Sequence, residues 1–264
     1  MNKRPLAVVK LGGSLITDKT NPFTLRKHVL RQIAEELATA YEDTSLLVVH
    51  GGGSFGHPVA AKYAIKEGHD GSKRKLEGFS QTRYWMTVLN LKVVKELAQR
   101  GLPAVPFQTS AFTYTVNKEL REYWIKPLAK ALKLGLVPVV YGDAVLDDKL
   151  GFTILSGDLL AAQLAIELNA NTLVYAVDVE GIMDKDPRHS PDAKLIKELS
   201  INEALKIAGN ASGVDVTGGM AYKIRCAAKA LAAKIRVVIG SGTIPGNILA
   251  MIKGKSGTYT TLKI

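Results

Sequence analysis

Lys10 stands at the end of an apolar run, Leu6-Ala7-Val8-Val9, and is followed directly by Leu11-Gly12-Gly13-Ser14. An unpaired ammonium is costly to bury. The position therefore argues for a charge aimed at an anion held by the glycine loop, the plain alternative being a strand-end lysine whose head reaches solvent. A second loop, His50-Gly51-Gly52-Gly53-Ser54-Phe55-Gly56-His57, follows another apolar run, Leu47-Val48-Val49. Glycines let backbone N–H groups come close to a phosphate, and a helix N-terminus adds a favourable dipole. His57 is placed to donate a charge-assisted hydrogen bond to such an anion, although an ordinary loop histidine fits the spacing as well. Two cradles within the first sixty residues point to phosphoryl transfer.

Three further constellations lie downstream. In Leu155-Ser156-Gly157-Asp158, Ser156 suits a helix N-cap and Asp158 the first turn. Capping alone explains that pair; the functional alternative is a carboxylate that holds catalytic lysines. Thr217-Gly218-Gly219-Met220 opens another helix, with Lys223 one turn in, as a third phosphate-cradling arrangement. Residues 177–187, from Val177-Asp178 through Met183 to Pro187, read as a strand leaving a sheet into an acidic loop suited to a nucleotide's base and ribose. Lys19, in Thr17-Asp18-Lys19, is by itself a loop lysine of the kind that is usually solvated.

These residues need elements to position them. Runs rich in Val, Ile and Leu predict buried strands over 6–9, 46–49, 104–107, 137–141, 172–177 and 236–239. Helical spacing predicts helices over 25–41, 82–100, 159–168 and 221–233. A hairpin is expected over 144–155, turning at Asp147 to Gly151, and an edge strand over 258–264. Alternating strands and helices imply βαβ units and an α/β sandwich, helices covering both faces of a mainly parallel central sheet. No linker divides the chain, so a single domain over 1–264 is expected.

The 264 residues are 47% hydrophobic, which suits one substantial core and argues against disorder. No apolar run approaches the roughly 18 residues a membrane span requires, and the short run after the basic N-terminus is broken by Lys10 and the glycines, unlike a signal peptide. A single cysteine, Cys226, excludes an intrachain disulfide and fits a reducing cytoplasm. The net charge of +11 suits anionic small molecules. Nucleic acid is not expected as a partner, because the basic residues are dispersed and the densest run, 62–75, lacks interleaved aromatics. One rival reading survives: Gly51 to Gly56 fits G-x-G-x-x-G, with Asp70 about twenty residues on, as in a dinucleotide site. It leaves the Gly12-Gly13 loop unexplained, and Asp70 sits in a turn rather than at a strand end.

Taken in order, Lys10-Leu11-Gly12-Gly13-Ser14, Gly51-Gly52-Gly53, Ser156-Gly157-Asp158, Asp178 to Pro187, and Thr217-Gly218-Gly219-Met220 with Lys223 resemble the amino acid kinase superfamily over essentially the whole chain. Within it, the stretch from His50 to Pro58 and the nine-residue step from Lys10 to Lys19 are similar to the isopentenyl phosphate kinase family; fosfomycin resistance kinases share much of the motif. The resemblance implies an open αβα sandwich, commonly a homodimer, with an acceptor-binding part over about 1–141 and an ATP-binding part over about 142–264. It implies ATP with Mg²⁺ as donor, and isopentenyl phosphate as acceptor, in a step of an alternative mevalonate route. Lys10, Lys19, His57, Asp158 and Lys223 would be catalytic. Gly12, Gly13, Ser14, Gly53, Asp178, Met183 and Gly218, with Lys10 and Lys223, would bind ATP. Gly52, His57 and Gly157 would hold the acceptor. The acceptor's apolar tail needs an apolar pocket, for which Met86 or Leu89, on the helix over 82–100, and Ile154 are candidates; each fits a core position as well. No protein ligand for the metal is assigned.

Overall fold

A computed structural model describes residues 4–185, 190, 192–210 and 219–264. Its strands are β1 (Leu6–Leu11), β2 (Ser45–His50), β3 (Ala104–Pro106), β4 (Thr113–Val116), β5 (Glu119–Tyr123), β6 (Val137–Tyr141), β7 (Asp143–Asp147), β8 (Gly151–Leu155), β9 (Thr172–Val177), β10 (Glu198–Ser200), β11 (Arg236–Ser241) and β12 (Tyr259–Lys263). Its α-helices are α1 (Gly13–Ile16), α2 (Lys27–Tyr41), α3 (Gly53–Lys62), α4 (Lys73–Ala98), α5 (Lys126–Lys133), α6 (Gly157–Glu167), α7 (Ile201–Asn210), α8 (Gly219–Ala232) and α9 (Asn247–Lys253).

Eight strands form the central sheet in the order β10-β12-β11-β9-β1-β2-β6-β3, parallel throughout except for β11 against β12. The expected αβα sandwich follows from the period-2 alternation of strand side chains. In β1, Leu6 and Val8 join one core with Leu160 and Leu164 of α6 and Ile224 and Ala227 of α8. Ala7, Val9 and Leu11 face the other way, against Ile33 and Leu37 of α2 and Leu89 and Val93 of α4. Lys10 shares the parity of Leu6 and Val8, so the strand itself directs it toward α6 and α8. The chain leaves β1 toward β2 on one side and returns on the other as β9. Between them the strand order switches direction, and crevices at such points, at the carboxyl ends of parallel strands, are where ligands bind.

A second, four-stranded sheet runs β5-β4-β7-β8. The expected hairpin is β7–β8, and its turn is built on Asp147, whose carboxylate accepts hydrogen bonds from the Thr115 hydroxyl and from the N–H groups of Asn117, Lys118, Lys149 and Leu150. Two expectations shift. The C-terminal strand is not an edge: β12 lies between β11 and β10, and the three-residue β10 is the edge. The helix expected over 82–100 starts at Lys73, because the Ser72 hydroxyl caps it by accepting from the Lys75 N–H at 3.3 Å. Its first turns are polar, which hid them from apolar periodicity. Within the basic run, Lys75 is buried and donates to the Ala64 carbonyl, so that part of the charge is structural. Among the described residues no helix is long and apolar enough to cross a membrane.

Candidate active site

Lys10, Asp158 and Lys223 converge from β1, α6 and α8, and all three are buried. Lys223 Nζ donates to Asp158 Oδ2 at 2.8 Å. Lys10 Nζ lies 2.7 Å from Oδ1 as an ion pair. Asp158 is fixed in turn by its place in the first turn of α6, where the Ser156 hydroxyl accepts from the Asp158 N–H, and its carbonyl accepts from the Tyr175 hydroxyl at 3.0 Å. Burial raises the Asp158 pKa, but the Lys10 and Lys223 charges outweigh that and hold it at about 2. Burial, reinforced by the Lys10 charge, brings Lys223 down to about 8 against the opposing pull of Asp158. Two ammoniums therefore share one carboxylate. The cluster carries net positive charge in a desolvated place, which an incoming phosphate would neutralise.

The two glycine loops lie against each other, backbone to backbone. A Cβ on Gly13 would fall 2.3 Å from the Gly53 nitrogen, and one on Gly51 would fall 2.9 Å from the Gly13 nitrogen. Gly53 also adopts φ +46°, a conformation that favours glycine. These glycines are thus required for contact between the loops as well as for any approach to a ligand. Gly12 is not an available donor, since its N–H is committed to the Ala176 carbonyl at 2.8 Å. Gly157 packs behind the second loop, where a Cβ would meet the His50 carbonyl at 3.1 Å.

His57 lies in the first turns of α3, with Gly52 beside its ring. It is solvent-accessible, yet surrounding protein lowers its pKa, and the Lys10 charge lowers it further while Asp158 opposes both. That mutual influence places it within electrostatic reach of the lysine–aspartate cluster. Met86 of α4 packs against the same loop, with its sulfur 3.1 Å from where a Gly52 Cβ would be, whereas Leu89 belongs to the sandwich core.

Lys19 and Asp178 are brought together as a second ion pair: Nζ to Oδ2 is 2.8 Å, with Lys19 exposed. Burial raises the Asp178 pKa, but the hydrogen bond and charge of Lys19, with help from Ser14, leave it lowered. Ser14, Lys19, Arg26 and Asp178 are among the residues lining an open cleft of about 400 Å³. Met183 sits farther along the loop after β9, bridged antiparallel to Leu195. Gly218 and Thr217, like Asp186 and Pro187, lie outside the described residues. The dinucleotide alternative loses its acid: Asp70 is exposed and accepts from the Ser72 N–H at 2.9 Å, at the entry to α4. Among the described residues no group of three or more His, Cys, Asp or Glu side chains is arranged to hold a metal ion. Sequence reasoning missed Thr17, whose buried hydroxyl bridges the two glycine loops, and Tyr175, over whose ring the Lys223 ammonium sits 5.1 Å from the centroid.

A largely parallel sheet carrying touching glycine loops and two buried lysines on one carboxylate is the frame of a kinase fold family, and the chain belongs to it: the amino acid kinase family model matches residues 5–241. Isopentenyl phosphate kinases are among the relatives it resembles within that family. The one from Methanothermobacter thermautotrophicus is 36% identical, covering 98% of this chain and all of that protein. Among solved structures, isopentenyl phosphate kinase superposes with a TM-score of 0.85 at 32% identity, covering 98% of this chain and 100% of the other. The T. acidophilum isopentenyl phosphate kinase product complex gives 0.82 at 30% identity, with the same coverage.

Proposed function

We propose that this chain transfers the γ-phosphoryl group of ATP to isopentenyl phosphate, giving isopentenyl diphosphate and ADP. The observation that carries the reading is the pair of buried ammoniums on one carboxylate beside two touching glycine loops. A terminal oxygen of the acceptor phosphate attacks the γ-phosphorus in line, and the bond from that phosphorus to the β–γ bridging oxygen breaks. The acceptor oxygen is already anionic at neutral pH, so no strong general base is needed. The barrier is repulsion between two polyanions, and catalysis is positioning and charge neutralisation. Lys10 and Lys223 bind the transferring and β-phosphate oxygens, and Asp158 holds both lysines. Gly13, Ser14 and Gly53 supply backbone donors. Lys19 moves from Asp178 to the donor phosphate, while the loop from Asp178 through Met183 receives the nucleoside. His57 holds the acceptor phosphate, with Gly52 and Gly157 behind it. Magnesium would supply further charge neutralisation at the donor phosphates; the described residues offer it no cluster of acidic, histidine or cysteine side chains, so it would come with the nucleotide.

The acceptor-binding part is assigned to about 1–141 and the ATP-binding part to about 142–264, with Lys10, Gly13, Ser14 and Lys19 reaching the donor from the first part. Two copies associate through α4, whose Leu76, Tyr84 and Leu91 are large, apolar and exposed; sedimentation that returns only a monomer overturns this. The lone, buried Cys226 supports a cytoplasmic setting.

The test is a coupled ADP-release assay with isopentenyl phosphate, dimethylallyl phosphate and fosfomycin as acceptors. Turnover of isopentenyl phosphate is expected; robust fosfomycin turnover without it overturns the proposal. In the same assay His57→Ala is expected to raise KM for the acceptor by about 10- to 100-fold, the size of a lost charge-assisted hydrogen bond, with KM for ATP little changed. An unaltered acceptor KM removes His57 from the site.

A further inference from the structure

We propose that the Thr17 hydroxyl is a positioning group that sets the spacing between the donor and acceptor cradles. The inference rests on the kinase reading above. Thr17 is fully buried, and its single hydroxyl is used twice. It donates to the Gly13 carbonyl in the first loop at 2.8 Å and accepts from the Ser54 N–H in the second at 2.9 Å. The Thr17 backbone N–H also donates to Gly13 O, at 2.9 Å, so residue 17 closes the turn of α1 that presents the first loop. The space around this hydroxyl is specified: a Cβ on Gly53 would fall 2.1 Å from Oγ1, so Gly53 leaves room for it. Thr17 further forms an isolated antiparallel bridge with Leu25, closing the base of the segment that carries Lys19. Three parts of the site meet at this side chain: the loop after β1, the loop after β2 and the Lys19 segment.

The consequence is specific to a two-substrate transfer. Each cradle has its own scaffold, β1 with α1 for one and β2 with α3 for the other, so each can bind its phosphate alone. In-line transfer also needs the two phosphates in a near-attack arrangement, and misplacement by about 1 Å costs about 100-fold. A valine at 17 keeps the shape and β-branching but leaves the Ser54 N–H without its acceptor and the Gly13 carbonyl with the residue-17 backbone N–H alone. The loops then lose this side-chain tie, and their spacing rests on backbone packing alone, while each retains its donors.

Thr17→Val in the full-length protein is expected to lower kcat by about 10- to 100-fold while both KM values stay within about threefold. Thr17→Ser, which keeps both hydrogen bonds and drops a methyl, is expected to restore most of kcat. If Thr17→Val does not fold, Thr17→Ala takes its place with the same expectation. An unchanged kcat in the hydroxyl-free variant overturns the inference. So does a Thr17→Ser variant as slow as the hydroxyl-free one, which would assign the effect to the methyl group's packing. A rise in KM at constant kcat also overturns it, since the hydroxyl would then be serving one cradle's binding. These readouts do not depend on which acceptor is used. Should the wild type turn over a different acceptor, the kinase substrate assignment fails while the Thr17 comparison is run on that acceptor.

Discussion

Lys10→Met is expected to lower kcat by about 10³-fold, with KM for the acceptor nearly unchanged. The methionine fills the space of the lysine stem within β1, so packing against Val49 and Tyr175 of the neighbouring strands is kept and the charge alone is lost. An ammonium preorganised in a buried site needs little reorganisation as charge develops on the transferring group, which is why its removal acts on turnover more than on ground-state binding. Lys223 adds a pH signature. Its pKa is brought down to about 8, so the free enzyme loses the Lys223 proton as pH rises through that value. The expected kcat/KM for ATP therefore falls above about pH 8, toward tenfold per pH unit, whereas bound phosphate stabilises the ammonium and moves the limb in kcat to higher pH. Lys223→Arg, which does not deprotonate in this range, should flatten the limb. A limb of the same position in Lys223→Arg assigns the ionisation to another group, and full turnover in Lys10→Met removes the central charge from the mechanism.

Asp158→Ala is expected to lower stability at pH 7 by about 3–5 kcal/mol, because two buried ammoniums are left without their carboxylate, and to lower kcat by about 10²-fold or more as both lysines lose their orientation. The wild-type contribution has a defined pH window. The Asp158 pKa is depressed from 3.8 to about 2 in the folded protein. Its stabilisation is thus fully present above the unfolded value and disappears as pH falls through about 2. Equilibrium urea unfolding measures the loss. A second substitution separates charge from cavity: adding Lys10→Met to Asp158→Ala removes one of the stranded charges and should recover part of the stability. If the double variant is no more stable than Asp158→Ala, mutual repulsion is not what destabilises it.

Local signals determined much of this site, and the reason lies in their short range. Valine-rich runs marked β1, β2, β6, β9 and β11, since a strand covered on both faces must be apolar throughout. Each glycine loop announced itself beside its strand, and Ser156 with Asp158 carried a helix start in adjacent residues. The hairpin β4–β5 was invisible because its two-residue turn is Asn117-Lys118, both at positive φ, where Asn-Gly would have been the recognisable form. Short α9 and the edge strand β10 carried too little periodicity to detect.

What only the tertiary structure decided is which of these pieces touch. Lys10, Asp158 and Lys223 are far apart in sequence, and only the crossovers that bring α6 and α8 onto one face of β1 join their charges. The sequence named Lys19 and Asp178 as separate candidates; the fold pairs them. Thr17 carries no motif at all: its partners Gly13 and Ser54 become neighbours because β1 and β2 are adjacent, parallel and in register from Leu6 with Ser45 to Leu11 with His50. By itself, the sequence determined that the chain carries glycine loops and strand- and helix-borne lysines on an α/β framework. Their union into one desolvated, positively charged cluster depends on long-range strand pairing, a property of the whole chain that no local pattern encodes.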